Sequence, residues 1–170
     1  MNIVLIGMPT AGKSTAGIIL AKIIGYDFVD SDLLIQKQEN RLLRQIIEQK
    51  GIEGFISIEN RVNAALRVDH TVISTGGSVV FGKAAMANLK DIGTVVYLKL
   101  SYETIKKRLE NAKRRGVVIR ENQSLHDLYH ERCPLYECYA DVTIDAESLN
   151  VEQLVQKLQE LGDDSIKTND

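Results

Sequence analysis

A glycine-rich stretch near the start of the chain carries its clearest chemistry. Residues Gly7–Ser14 match the pattern Gly-x-x-x-x-Gly-Lys-[Ser/Thr] of a phosphate-binding P-loop. The apolar run Asn2–Ile6 before it predicts a buried strand, and Ala16–Ile24 after it predicts a helix. In that context backbone N–H groups can surround a polyphosphate, Lys13 can neutralise its charge, and Ser14 can bind Mg²⁺ through its hydroxyl. The motif therefore predicts a nucleoside triphosphate site.

Two carboxylates follow the second predicted strand, Asp27–Val29. Asp30 and Asp32 are two positions apart, and side chains at i and i+2 point the same way in an extended chain. One is expected to hold Mg²⁺ together with Ser14, and the other to take the proton of an attacking hydroxyl. Asp30 or Ser31 could also cap the helix that follows. Two acids near a P-loop favour a catalytic role.

Two further stretches are open to either a functional or a plain structural interpretation. Gly76 and Gly77 end the predicted strand Thr71–Thr75 and allow a ligand to approach the backbone closely, or they simply form a tight turn. Lys113–Arg120 is a basic segment that is either a solvated loop or a closing lid. A lid excludes water and brings a cation to the transferring phosphoryl group.

The elements that must position these groups alternate along the chain. About five strands alternating with helices predict an α/β P-loop fold, a three-layer sandwich in which helices cover both faces of a parallel sheet. The site of such a sheet lies at the carboxyl ends of its strands, where all the stretches above except the basic segment fall. The remaining predicted strands are Thr94–Leu98 and Asp141–Ile144. After the helix Ala16–Ile24, a further helix is predicted to begin at Leu33. The others are Arg41–Lys50, Gly54–Arg67, Ala84–Leu89, Tyr102–Leu109, Ser124–Tyr136 and Val151–Leu161.

Composition limits the class of protein. The 170 residues are 44% hydrophobic and 26% charged, which predicts one globular domain over residues 1–162 and a disordered tail over 163–170. A net charge of −2 argues against a general nucleic-acid binder, and the first apolar run is too short for a signal peptide or a membrane span. We therefore expect a cytoplasmic monomer. Cys133 and Cys138 lie five apart in a predicted helix, so a disulfide between them is not expected.

Taken in order, these motifs resemble those of the shikimate kinase family. The resemblance runs from Asn2 to about Asp145. Besides the P-loop it includes Phe28–Asp32, Phe55 followed by Glu59, Ser74–Gly77 and the Arg-Cys-Pro-Leu-Tyr of residues 132–136. It implies an enzyme that uses ATP and Mg²⁺ to convert shikimate to shikimate 3-phosphate, a step of aromatic amino acid biosynthesis.

The resemblance also implies roles for individual residues. The catalytic residues would be Lys13, Asp32 and Arg115, with Arg115 in a lid over about residues 111–122. Mg²⁺ would be held by Ser14 and Asp30. The nucleotide would be bound by Thr10, Ala11, Gly12, Lys13, Ser14, Thr15, Arg108 and Arg115, and the substrate by Asp32, Gly76, Gly77 and Arg132. Residues of about 33–66 would form a substrate-binding flap.

Three positions depart from the family pattern. Ile56 follows Phe55, where the family has an arginine that shares the substrate carboxylate with the one matching Arg132. Ser78 replaces a glycine, and Gly116 replaces a proline after the lid arginine. A charge-assisted hydrogen bond contributes about 1.5–3 kcal/mol, so losing one would weaken binding about ten- to a hundredfold.

Other arginines could replace the positive charge that is missing at Ile56. Arg61 lies five positions further along the same helix and faces another direction. Arg41 and Arg44, on the preceding predicted helix, could reach the site. The sequence does not choose between them.

Two alternative functions stay open. Ile56 and Ser78 are compatible with a kinase of the same fold that acts on another small alcohol, such as a sugar acid or a polyol. A nucleotide-binding regulatory module without turnover would also need a P-loop. The groups required for phosphoryl transfer argue against that module, because Lys13, Asp30, Asp32 and Arg115 are all present.

Overall fold

Five parallel strands form one sheet. The structure, a computed structural model, describes the backbone of residues 1–111 and 121–167 and the side chains of residues 1–111 and 121–161. The strands are β1 (Asn2–Ile6), β2 (Asp27–Asp30), β3 (Thr71–Ser74), β4 (Gly93–Lys99) and β5 (Val142–Asp145). Their order is β2-β3-β1-β4-β5, and all neighbours are parallel. The predicted P-loop α/β fold is therefore confirmed.

Helices connect the strands and cover the sheet. They are α1 (Lys13–Ile24), α2 (Ser31–Glu39), α3 (Leu43–Ala64), α4 (Lys83–Ile92), α5 (Tyr102–Asn111), α6 (Leu125–Tyr139) and α7 (Val151–Lys167), with a 3₁₀ turn at Val79–Phe81. The chain moves one way along the sheet from β1 to β2 and the opposite way in every later crossover. Because such crossovers are right-handed, α1 lies on one face and α3 and α4 on the other. The packing of α1 against α7 and of α3 against α4 agrees with this arrangement.

The clearest differences from the predicted helices concern α3, α6 and α7. The two predicted helices around Gly51 are joined into α3, although Gly51 itself keeps a non-helical conformation (φ 69°, ψ 176°) and kinks the helix. Helix α6 continues through Pro134, because Leu128 and Tyr136 on either side of the proline are buried in the core and hold both halves. Helix α7 runs to Lys167, beyond the predicted end at Leu161.

The main core lies along the central strands of the sheet. Val4, Leu5, Val72 and Ile73 in these strands are fully buried. A smaller apolar cluster lies under α2 and α3 and consists of Ile35, Ile46, Phe55, Ile58 and Val62. This second cluster packs α2 against α3. Within the described residues, no helix combines the length and apolar character that crossing a membrane requires.

Candidate active site

The P-loop joins β1 to α1 and has the backbone conformation that its glycines allow. Gly7 has a φ of 147°, and a Cβ there would lie 2.8 Å from the carbonyl oxygen of Leu98. Gly12 caps α1 in the left-handed region, with a φ of 92°. Thr10 also has a positive φ, of 66°. Such alternation of backbone conformations builds a concave loop at a helix N-terminus, an arrangement suited to anions.

Lys13 lies at the base of this loop and is only 7% exposed. Its Nζ donates hydrogen bonds to the carbonyl oxygens of Gly7 and Met8, both at 2.8 Å. Burial lowers the pKa of Lys13 to about 8, although the charge of Asp32 acts in the opposite direction. The ammonium group is thus held in a poorly solvated place, where its attraction for a phosphate is strong.

Ser14 and Asp30 place two oxygen atoms together beside Lys13. The hydroxyl of Ser14 donates to Oδ2 of Asp30 at 2.6 Å and lies 3.1 Å from the hydroxyl of Ser74. The other carboxylate oxygen of Asp30 caps α2 by accepting from the backbone N–H groups of Asp32 and Leu33. Asp30 therefore has the capping geometry considered from the sequence and still presents one oxygen beside Ser14. A hydroxyl and a carboxylate are ligands that Mg²⁺ accepts.

Asp32 enters the site from the first turn of α2. The extended geometry assumed for Asp30 and Asp32 is wrong, because α2 begins at Ser31, directly after β2 ends. Burial raises the pKa of Asp32 to about 6; the charge of Asp30 adds to this shift, and that of Lys13 opposes it. A carboxylate with such a pKa is ionised at neutral pH and can still accept a proton from a hydroxyl.

One cavity of about 590 Å³ connects these groups. Its walls come from the P-loop, α2, the start of α3 and the segment after β3. They include Lys13, Ser14, Asp32, Gln36, Leu42, Leu43, Arg44, Thr75, Gly76 and Gly77. A phosphate-binding loop and a carboxylate able to act as a base thus open into the same space.

A buried polar cluster lies behind Gly76 and Gly77. Its members are Glu59 and Arg132, each 1% exposed, and Ser78, which is 3% exposed. The hydroxyl of Ser78 donates to Oε2 of Glu59 at 2.5 Å. A Cβ on Gly76 would collide with Oε1 of Glu59 and lie 2.7 Å from Oδ1 of Asp32, and a Cβ on Gly77 would lie 3.0 Å from a guanidinium nitrogen of Arg132. Both glycines are therefore needed where the cluster meets the cavity.

The buried carboxyl group of Glu59 should make the stability of the fold depend on pH. Burial raises its pKa from the ordinary value of 4.5 to about 8; the Ser78 hydrogen bond and the charges of Arg132 and Lys13 oppose this shift, and that of Asp32 adds to it. Between these pH values the folded chain holds a proton that the unfolded chain releases, so stability falls as pH rises from about 5 to 8. We expect Glu59→Gln to remove this pH-dependent loss. Between pH 5 and pH 8 the free energy of unfolding of the variant should therefore fall by about 2–4 kcal/mol less than that of the unmutated chain.

Urea unfolding at several pH values measures this advantage. Glu48→Gln, on the same helix but exposed, is the matched control and should leave the pH dependence of the free energy of unfolding unchanged. Parallel pH profiles for the unmutated chain and Glu59→Gln would contradict the expectation.

The remaining residues singled out in the sequence have different positions. Arg108 donates to the carbonyl oxygen of Thr10 at 2.9 Å and so lies beside the P-loop. Ile56 is partly exposed on α3. Arg61 is bound to Glu39 at 2.7 Å. Arg115 and most of the predicted lid lie outside the described residues.

The structure specifies two contributors that the sequence analysis left open. Arg44 lines the cavity, although the sequence could not separate it from Arg41. Ser78 was noted only as a departure from a glycine, whereas its hydroxyl is bonded to Glu59. No local pattern indicates either contact, because each depends on segments that are distant in the chain.

Comparisons with known proteins identify the family. The family model for shikimate kinase matches residues 9–161. A shikimate kinase from Haemophilus influenzae is 36% identical over 166 residues, which cover 95% of this chain and 92% of that protein. One from Persephonella marina is 32% identical over 158 residues, which cover 92% and 96%.

Solved structures give the same result. The shikimate kinase from Acinetobacter baumannii in complex with shikimate has a TM-score of 0.84 and 34% identity, covering 94% of this chain and 91% of that one. The structure of shikimate kinase from Aquifex aeolicus has a TM-score of 0.80 and 31% identity, with 94% of each chain covered. With the motifs, the fold and the cavity in agreement, this chain belongs to the shikimate kinase family.

Proposed function

We propose that this chain transfers the γ-phosphoryl group of ATP to a hydroxyl of shikimate, giving shikimate 3-phosphate for aromatic amino acid biosynthesis. The observation that carries the proposal is the shared cavity, because Lys13 and Asp32 both line it. A phosphoryl donor and an acceptor alcohol must meet in one space from which water can be excluded. The proposed setting is a cytoplasmic monomer.

At the donor end, the P-loop residues Thr10–Thr15 bind the phosphates of ATP. Lys13 stabilises the negative charge that spreads over the γ-phosphoryl oxygens during transfer. Arg108 lies beside the P-loop, where it can pack against the adenine. Ser14 and Asp30 would hold Mg²⁺, for which their adjacent oxygens are suitable ligands. Bound there, Mg²⁺ would neutralise phosphate charge and orient the β- and γ-phosphates.

At the acceptor end, Asp32 accepts a hydrogen bond from the reacting hydroxyl and takes its proton. The backbone of Gly76 and Gly77 lets the acceptor ring approach closely, because neither residue carries a side chain into the cavity. Arg132, whose guanidinium lies behind Gly77, contributes positive charge towards the acceptor carboxylate. Arg115 would complete the charge stabilisation from the lid.

A coupled assay of ADP release tests the proposal. We expect ADP release to depend on shikimate and to stop when EDTA removes Mg²⁺. The same assay with sugar acids and polyols as acceptors examines the alternative that Ile56 and Ser78 suggest. Turnover with shikimate no higher than the ATP-hydrolysis background would exclude shikimate as the acceptor.

A further inference from the structure

Arg44 is a cation on the wall of the acceptor cavity. It lies in the first turn of α3, with an exposed side chain, and lines the same space as Lys13 and Asp32. Among the side chains of residues 1–111 and 121–161, none forms a hydrogen bond or an ion pair with its guanidinium. A guanidinium in this position can bind an anionic group that enters the cavity.

The other arginines near α2 and α3 are less suited to this role. Arg61 is bound to Glu39 at 2.7 Å, which satisfies its charge at another surface. Arg41 precedes α3 and is exposed, but it does not line the cavity. Arg132 is 1% exposed and lies behind Gly77 rather than on the cavity wall.

The first turn of α3 is held in place, so Arg44 projects from a fixed element. The side-chain oxygen of Gln45 accepts from the backbone N–H of Leu42 at 2.9 Å, and that of Gln36 accepts from the N–H of Leu43 at 3.1 Å. Ile46, two positions after Arg44, is buried in the apolar cluster under α2 and α3. Because the backbone is already ordered, binding an anion costs only the entropy of the Arg44 side chain and not that of a flexible loop.

Arg44 shares its part of the cavity wall with apolar side chains. Leu42 and Leu43 line the cavity next to it, although Leu42 is 47% exposed and Arg44 itself is exposed. The guanidinium therefore meets an anion in a partly solvated place, where a charge pair contributes modestly to binding. Ile56 on the same helix supplies no charge.

We propose that Arg44 binds the carboxylate of the acceptor and thereby makes the enzyme select an acidic alcohol over a neutral one. The inference rests on the proposed function and identifies a specificity residue for it. In this chain Arg44, at the start of α3, supplies the positive charge for the acceptor carboxylate that Ile56 lacks.

Kinetics with two acceptors, shikimate and its uncharged methyl ester, test this assignment. We expect Arg44→Ala to raise the KM for shikimate about tenfold, the lower end for a charged hydrogen bond because Arg44 is exposed. The KM for the ester and the KM for ATP should each change less than about twofold. The preference for the acid over the ester should fall by the same factor. Arg44→Lys should keep part of it, because it retains the charge but not the forked geometry.

Arg41→Ala is the matched control. Arg41 lies three positions before Arg44 and carries the same charge, but its side chain does not line the cavity. It should change the KM for shikimate less than about twofold, and thermal unfolding should show that both variants fold. Equal effects of Arg44→Ala and Arg41→Ala, or an equal loss for acid and ester, would overturn the assignment while leaving the proposed function intact. Failure of the unmutated chain to phosphorylate either acceptor would overturn the proposed function, and the assignment with it.

Discussion

Lys13→Met is expected to lower kcat for shikimate-dependent ADP release by at least about a thousandfold. Lys13 is the buried cation of the P-loop, and its Nζ lies 2.8 Å from two loop carbonyl oxygens. Methionine keeps much of the length of the side chain and its apolar contacts but has no charge. The transferring phosphoryl group would then lose a preorganised positive partner in a poorly solvated site, where water cannot replace it.

A matched variant separates this effect from a general loss of charge on α1. Lys22 lies in the last turn of the same helix and is exposed, so Lys22→Met should keep kcat within about twofold of the unmutated value, as expected for a surface charge. Thermal unfolding of both variants shows whether the fold is retained. A folded Lys13→Met enzyme that kept more than a tenth of its activity would show that Lys13 does not stabilise the transition state.

The donor half of the site could be predicted from the sequence because its chemistry is local. The P-loop is a continuous stretch whose strand, turn and helix all lie within Asn2–Ile24, and the structure has these elements in that order. Asp30 and Asp32 were located by their position after a strand. Their geometry was not predicted correctly, because an extended chain was assumed and α2 begins at Ser31 instead.

The sequence indicated Asp32, Gly76 and Gly77, which line the cavity, but not how the acceptor half is assembled, because its contacts join distant segments. The Ser78–Glu59 hydrogen bond joins residues 19 positions apart. Helical periodicity places Glu59 on α3 but does not say which loop packs over it. The choice among Arg41, Arg44 and Arg61 likewise depends on the cavity wall and on the Arg61–Glu39 ion pair, neither of which a local pattern encodes.

The substitutions at Ile56 and Ser78 are easier to understand together. Glu59 is buried on α3, three positions after Ile56, where the family has an arginine. The Ser78 hydroxyl, in place of a glycine, donates a hydrogen bond to Glu59. Burial raises the pKa of Glu59 to about 8, and the Ser78 hydrogen bond and the charge of Arg132 offset only part of this shift. Ser78 therefore belongs to the buried cluster with Glu59 and Arg132, to which Ile56 adds no charge.

Asp32→Asn is expected to lower kcat by about a hundred- to ten-thousandfold, with the KM for ATP changed less than about threefold. The amide keeps the size of the carboxylate and one acceptor oxygen, but it cannot take a proton from the acceptor hydroxyl. Steady-state kinetics with shikimate measure the effect. Asp27→Asn, at the exposed start of β2, is the control and should retain full activity. If folded Asp32→Asn enzyme kept kcat within tenfold, proton transfer to Asp32 would not contribute to the reaction, and the acceptor hydroxyl would have to lose its proton elsewhere.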